Sequence, residues 1–141
     1  MVFFLNFACV MKHQDYVTDA IDLLCALINT PSVSREEKDA ADLMEQRMKS
    51  YGLAPHREAN NLWLMADGYD EQKPTLLLNA HIDTVKPAIS WTRDPFRASV
   101  EDDRIYGLGS NDCGGGLTTL LQVFRFLSLR PQPYNLIYLA S

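Results

Sequence analysis

An α/β layered sheet with helices on both faces is the fold this sequence predicts. Three observations carry it: two helical patterns open the chain, apolar runs at Leu76-Leu77-Leu78 and Leu136-Ile137 read as buried strands, and a third helical pattern lies between those runs. Helices alternating with buried strands make a layered α/β sheet. The length of 141 residues fits one domain with a real core.

The elements follow in order. Over residues 14–29, Val17, Ile21, Leu24 and Ile28 recur at helical spacing, and Leu23 and Leu27 widen the stripe. Cys25 sits among them as a small core residue. Pro31 ends this helix. Ser34 and Glu37 have the spacing of a capping box for a second helix, which runs to Tyr51 and stops at Gly52. Strands are expected over residues 54–58, 62–66 and 75–81, punctuated by Asn60-Asn61 and Asp67-Gly68. The third is continuously apolar, as a strand covered on both faces should be. Residues 96–106 read as a hairpin turning at Glu101-Asp102-Asp103, residues 118–129 as a helix, and residues 135–140 as a buried strand. That strand ends the sequence with nothing to cap it, so the expectation is an incomplete fold, a fragment or a truncated frame.

Composition narrows the function. With 47% hydrophobic and 22% charged residues the chain is an ordinary globular one, and its net charge of −5 argues against a nucleic-acid partner. Three cysteines with no CxxC pair suggest neither a disulfide framework nor a thiolate metal site, so a reducing, cytoplasmic setting is expected. The apolar residues 1–10 are too short to span a bilayer and lack a positive leading region, so no membrane partner is expected. Met11 opens an ordinary amphipathic helix, which makes residues 1–10 a candidate non-native extension and residues 11–141 the domain proper.

Chemistry concentrates between Leu76 and Gly116. His81 and Asp83 close a buried strand two residues apart, a spacing that sends both side chains to one face. A metal-bound histidine commonly gives its second ring N–H to a carboxylate. Locally, the same pair also describes a structural histidine. Asp112 lies among Gly107, Gly109, Gly114, Gly115 and Gly116, which can aim its carboxylate into a cleft at the strand ends. An Asx-turn or helix N-cap is the alternative reading of Asp112. No Lys-Ser/Thr follows the glycines and Asp112 displaces the third glycine of a dinucleotide fingerprint, so neither phosphate motif is present. Cys113 could be a thiol nucleophile with His81 as base and Asp83 as orienter, although an unpaired cysteine is more often inert. Trp91 and Asp94-Pro95-Phe96 read as an aromatic anchor for a long loop; His13 and His56 read as surface residues.

Taken together, Leu77 to Val85, then Trp91 and Asp94-Pro95-Phe96, then Ile105 to Gly115, with Thr30-Pro31-Ser32-Val33-Ser34 upstream, closely resemble one family. It is the family of cocatalytic zinc amidohydrolases that includes acetylornithine deacetylase, succinyl-diaminopimelate desuccinylase and aminoacylase. The resemblance covers residues 11–141 and implies a zinc-exopeptidase-like fold. It implies that His81 ligates one metal ion, that Asp112 bridges two, and that Asp83 assists catalysis beside His81. It also implies a cis Asp112–Cys113 bond. Two Zn2+ ions per complete site are implied, with Co2+ or Mn2+ as possible substitutes. The implied substrate is a small N-acyl amino acid, with acetylornithine deacetylase of arginine biosynthesis the nearest member; succinyl-diaminopimelate and dipeptides stay open. Cys113-Gly114 departs from the Met-Lys-Gly of many members. The family's general base, its remaining ligands and a dimerisation domain lie further along, so a homodimer is expected of the full-length protein, and of these residues alone no deacylase activity and at best weak zinc affinity. The rival reading is a non-catalytic α/β module.

Overall fold

The computed structural model describes residues 11–141. Residues 1–10, read above as an extension, lie outside the described residues. Helix α1 spans His13–Ile28, one residue earlier at each end than its periodicity predicts, and the Asp15 carboxylate accepts the Lys12 N–H at 2.7 Å at its start. Its apolar stripe divides. Leu23, Leu24 and Ile28 are buried, whereas Val17 and Ile21 remain 50% and 39% exposed, because the band is wider than the surface its neighbours cover.

Helix α2 (Lys38–Ser50) buries Ala40, Ala41, Met44 and Met48 and ends at Gly52, with φ 77°. Its start corrects the expected capping box. Glu37 occupies the cap position without a side-chain cap bond, and its carboxylate instead accepts from the Arg35 N–H and from Asn60 Nδ2. Ser34 points elsewhere, to Asp83. A carboxylate is the stronger acceptor for that hydroxyl.

Strands β1 (His56–Glu58), β2 (Asn61–Met65), β3 (Thr75–Ala80) and β6 (Asn135–Ala140) form one sheet in the order β1-β2-β6-β3. The β2–β6 pair is antiparallel and the β3–β6 pair parallel, with Leu78 opposite Tyr138 and Ala80 opposite Ala140. Between β3 and β6 the chain makes the small hairpin β4 (Ser99–Glu101) and β5 (Arg104–Tyr106), then helix α3 (Gly115–Leu127). The hairpin turns at Asp102 and Asp103, both at positive φ.

The layered α/β fold is present, and among the described residues its helices pack on one face. Leu62, Leu64, Leu78, Ala80, Leu136 and Tyr138 form a core with Met44 and Met48 of α2 and Leu117, Leu121 and Phe124 of α3. The Tyr138 hydroxyl donates to the Leu117 carbonyl at 3.0 Å, fixing α3 to that face. Alternation sends Trp63, Met65, Leu77, Ile137 and Leu139 to the other face, where Met65 is 42% and Leu77 50% exposed. The second helix layer expected there is not formed by the described residues. β3 lies at the edge of the sheet, paired with β6 alone, and its Leu77 face is open, so among the described residues it is not the doubly covered strand its apolar run suggests. No described helix is long and apolar enough to cross a membrane.

Candidate metal centre

The two parallel strands end together, and the candidate site begins where they stop. Past Ala80 the chain leaves the sheet, yet it is held on both sides. The Ile82 N–H donates to the Ser141 carbonyl at 2.7 Å, and Val33 bridges Thr84 in parallel. His81 and Asp83 are therefore fixed without belonging to a strand. The His81 Nδ1 lies 2.9 Å from the Asp83 carbonyl oxygen and 3.1 Å from Asp83 Oδ1. The expected pairing of imidazole and carboxylate is thus observed.

Asp112 arrives from a different element. Residues Ser110–Gly114 form a kinked turn that runs into α3, with Asp112 and Cys113 in non-helical conformations and the Asp112–Cys113 peptide bond cis. Gly109 opens this turn at φ 77°, where a side chain would also collide with Thr84: an added Cβ would sit 2.6 Å from its Cγ2. Only glycine suits both the conformation and the space. Helix α3 starts at Gly115, earlier than expected, because Gly115 and Gly116 are absorbed into its first turn. No side chain caps that start, so the N-cap reading of Asp112 is not what the structure shows. Its Oδ1 instead lies 3.0 Å from His81 Nε2.

The imidazole therefore stands between two carboxylates. Partial burial pulls the His81 pKa down, but the bond to Asp112, the Asp83 carbonyl and the two nearby negative charges outweigh it and leave the pKa raised. Metal binding reverses this state, since a ligating nitrogen must give up its proton.

The residues present fit a divalent ion. Two ligands about 2.0–2.2 Å from one tetrahedral zinc stand roughly 3.3 Å apart, close to what His81 Nε2 and Asp112 Oδ1 already have. Asp83 occupies the place behind the ring that fixes its tautomer. The set is small, however: among the described residues no group of three or more His, Cys, Asp or Glu side chains could hold a metal. His81, Asp83 and Asp112 border a cleft of ≈ 290 Å³ together with Val85, Trp91 and Asn111. Trp91, read from sequence as a loop anchor, is a cleft wall. Ser34, read as a helix cap, is in contact with Asp83. The thiol reading of Cys113 finds no support, because its Sγ faces the His81 carbonyl oxygen at 3.7 Å and both ring nitrogens face aspartates.

Residues 77–140 match the family described as Peptidase family M20/M25/M40. The succinyl-diaminopimelate desuccinylase of Blochmanniella floridana is 33% identical over 129 residues, covering 86% of this chain and 34% of that protein. An M20 family metallo-carboxypeptidase from Sulfolobus solfataricus superposes with a TM-score of 0.70 at 22% identity, covering 87% of this chain and 30% of its own. A dinuclear metal binding peptidase from Bacillus subtilis gives a TM-score of 0.64 at 17% identity, covering 90% and 35%. The chain thus spans about a third of the length of the curated relatives it matches. The residues matched to Peptidase family M20/M25/M40, 77–140, include His81, Asp83 and Asp112.

Proposed function

We propose that this chain carries part of the metal centre of a hydrolase that cleaves the amide of a small N-acyl amino acid. One observation carries the reading: His81 Nε2 and Asp112 Oδ1 meet at 3.0 Å in a cleft at the strand ends, with Asp83 behind the ring. In the proposed roles His81 would hold one ion through Nε2 and Asp112 would be shared between two. The Asp83 main-chain carbonyl, with the Asp83 carboxylate beside it, would accept the Nδ1–H hydrogen bond and keep the other nitrogen's lone pair toward the metal. A pair of divalent ions, zinc by ligand type with cobalt or manganese as substitutes, would supply Lewis acidity toward an amide carbonyl and lower the pKa of bound water. The Bacillus subtilis neighbour, described as dinuclear, supports the count of two.

Ligand count sets the scope. Catalytic zinc commonly takes three protein ligands, and His81 with Asp112 falls short of that for each ion. The remaining ligands and the general base would come from sequence beyond Ser141 in a longer protein. On substrate, the curated relatives favour a succinylated diamino acid over the acetylornithine that the sequence suggested. Family resemblance supports a homodimer for that longer protein, and cysteine usage supports a cytoplasmic setting.

The test is to assay this chain and a version extended to the length of its relatives, each with zinc, on succinyl-diaminopimelate and acetylornithine. The expected result is turnover by the extended protein only, faster on the succinyl substrate, and abolished by His81→Ala. Turnover that survives both His81→Ala and Asp112→Ala would overturn the reading.

A further inference from the structure

We propose that Ser34 is a positioning residue of this metal centre, holding the Asp83 carboxylate in the orientation that presents His81 to the ion. The inference rests on the metal reading above and extends it to a residue on a different segment, 49 positions away along the chain. Residues 32–34 lie as a strap along residues 82–84. The Thr84 N–H donates to the Ser32 carbonyl at 2.8 Å, and the Ser34 N–H donates to the Thr84 carbonyl at 3.0 Å. The Ser32 hydroxyl, almost wholly buried, donates to the Ile82 carbonyl at 3.2 Å. This register carries the Ser34 hydroxyl to Asp83.

The two oxygens of Asp83 are then divided. Ser34 Oγ donates to Oδ2, while Oδ1 faces His81 Nδ1 at 3.1 Å. The hydroxyl has one proton and a second acceptor within reach, the Thr84 carbonyl at 3.4 Å. The charged and nearer carboxylate is the better acceptor. The Nδ1 hydrogen bond runs to the Asp83 main-chain carbonyl at 2.9 Å, and with Oδ2 held by Ser34 the charge on Oδ1 stays beside the same nitrogen, so the imidazole keeps one orientation. Without Ser34, Oδ2 turns to solvent and the brace loosens.

Outer-shell partners of metal-ligating histidines are typically worth about 10- to 100-fold in metal affinity, and Ser34 acts one residue further back, so roughly 3- to 10-fold is expected. The experiment uses the 141-residue chain and its Ser34→Ala, Ser34→Thr and Ser32→Ala variants. Two quantities are read: the 15N resonance of His81 Nδ1 in the metal-free chain, and the affinity for Co2+ from its visible absorption. Ser34→Ala should move the resonance and weaken Co2+ binding by that factor, while Ser34→Thr, which keeps the hydroxyl, should stay near the parent on both. Ser32→Ala should lower the urea midpoint and leave the resonance in place. A Ser34→Ala resonance and affinity equal to the parent's would overturn the proposal, as would a Ser32→Ala variant that reproduces the Ser34→Ala change. If the parent, with fewer than three ligands per ion, takes up no Co2+, the metal-free resonance alone decides: a shift in Ser34→Ala sustains the proposal and an unmoved resonance overturns it.

Discussion

The helix-covered face of the sheet and the cleft at its strand ends are built from opposite materials. Phe124 and Tyr138 are 2% and 0% exposed and contribute packing. The side chains of His81, Asp83 and Asp112 are 43%, 37% and 88% exposed and contribute charge and hydrogen bonds. The first region stabilises by removing apolar surface from water. The second does little for stability, because a solvated ion pair is worth between nothing and about 1 kcal/mol. What the cleft gains from the rest of the molecule is position: β3 delivers His81, the turn before α3 delivers Asp112, and the strap before α2 reaches Asp83. The two regions should therefore fail separately.

The largest effect belongs to the packed face. Phe124→Ala should cost about 3–5 kcal/mol, the usual range for deleting a buried aromatic ring. Urea unfolding followed by circular dichroism measures it, and a loss under about 1 kcal/mol would mean that α3 does not pack on the sheet as described. Gly109→Ala tests the point where the two regions touch. Its left-handed conformation and the approach of Thr84 predict a cost of about 1–3 kcal/mol. Displacement of Asp112 should follow, visible as a change in the His81 ring resonances. Leu77→Thr on the open face of the sheet should change stability by no more than about 0.5 kcal/mol. A larger loss would show that this face is covered in solution.

The smallest effect is the pH dependence of the cleft itself. Because the folded state raises the His81 pKa, the protonated form contributes stability fully present below the ordinary imidazole value. That stability is lost as pH rises through the raised value. Solvent exposure keeps the contribution small, so it is best read as the difference between parent and His81→Ala unfolding midpoints on either side of that window. Metal uptake should run the other way and strengthen as pH rises through the same value, since the ion displaces the proton from Nε2.

Much of this was legible residue by residue. The stripe on α1, the glycine ending α2 and the acidic turn of the hairpin are local signals, and they place their elements within a few residues. The pairing of His81 with Asp83 follows from their spacing. What local patterns do not hold is which face a neighbour covers. Leu76-Leu77-Leu78 reads as an interior strand because it is apolar, yet exposure at Leu77 depends on what lies opposite. Ser34 shows the same limit. Its spacing to Glu37 fits a helix cap, and only the fold reveals a stronger acceptor, Asp83, from the other end of the site. Asp112 lay between these cases, because glycine spacing permitted both a cap and a ligand, and its approach to His81 decided for the cleft.

The most direct test is a crystal structure of the chain grown at a pH above the His81 transition and soaked with zinc, with the metal located by anomalous scattering. The account predicts an ion about 2.0–2.1 Å from His81 Nε2 and about 2.0–2.2 Å from an Asp112 oxygen, with Asp83 still against Nδ1. Zinc bound elsewhere, with the His81–Asp112 hydrogen bond intact, would contradict it.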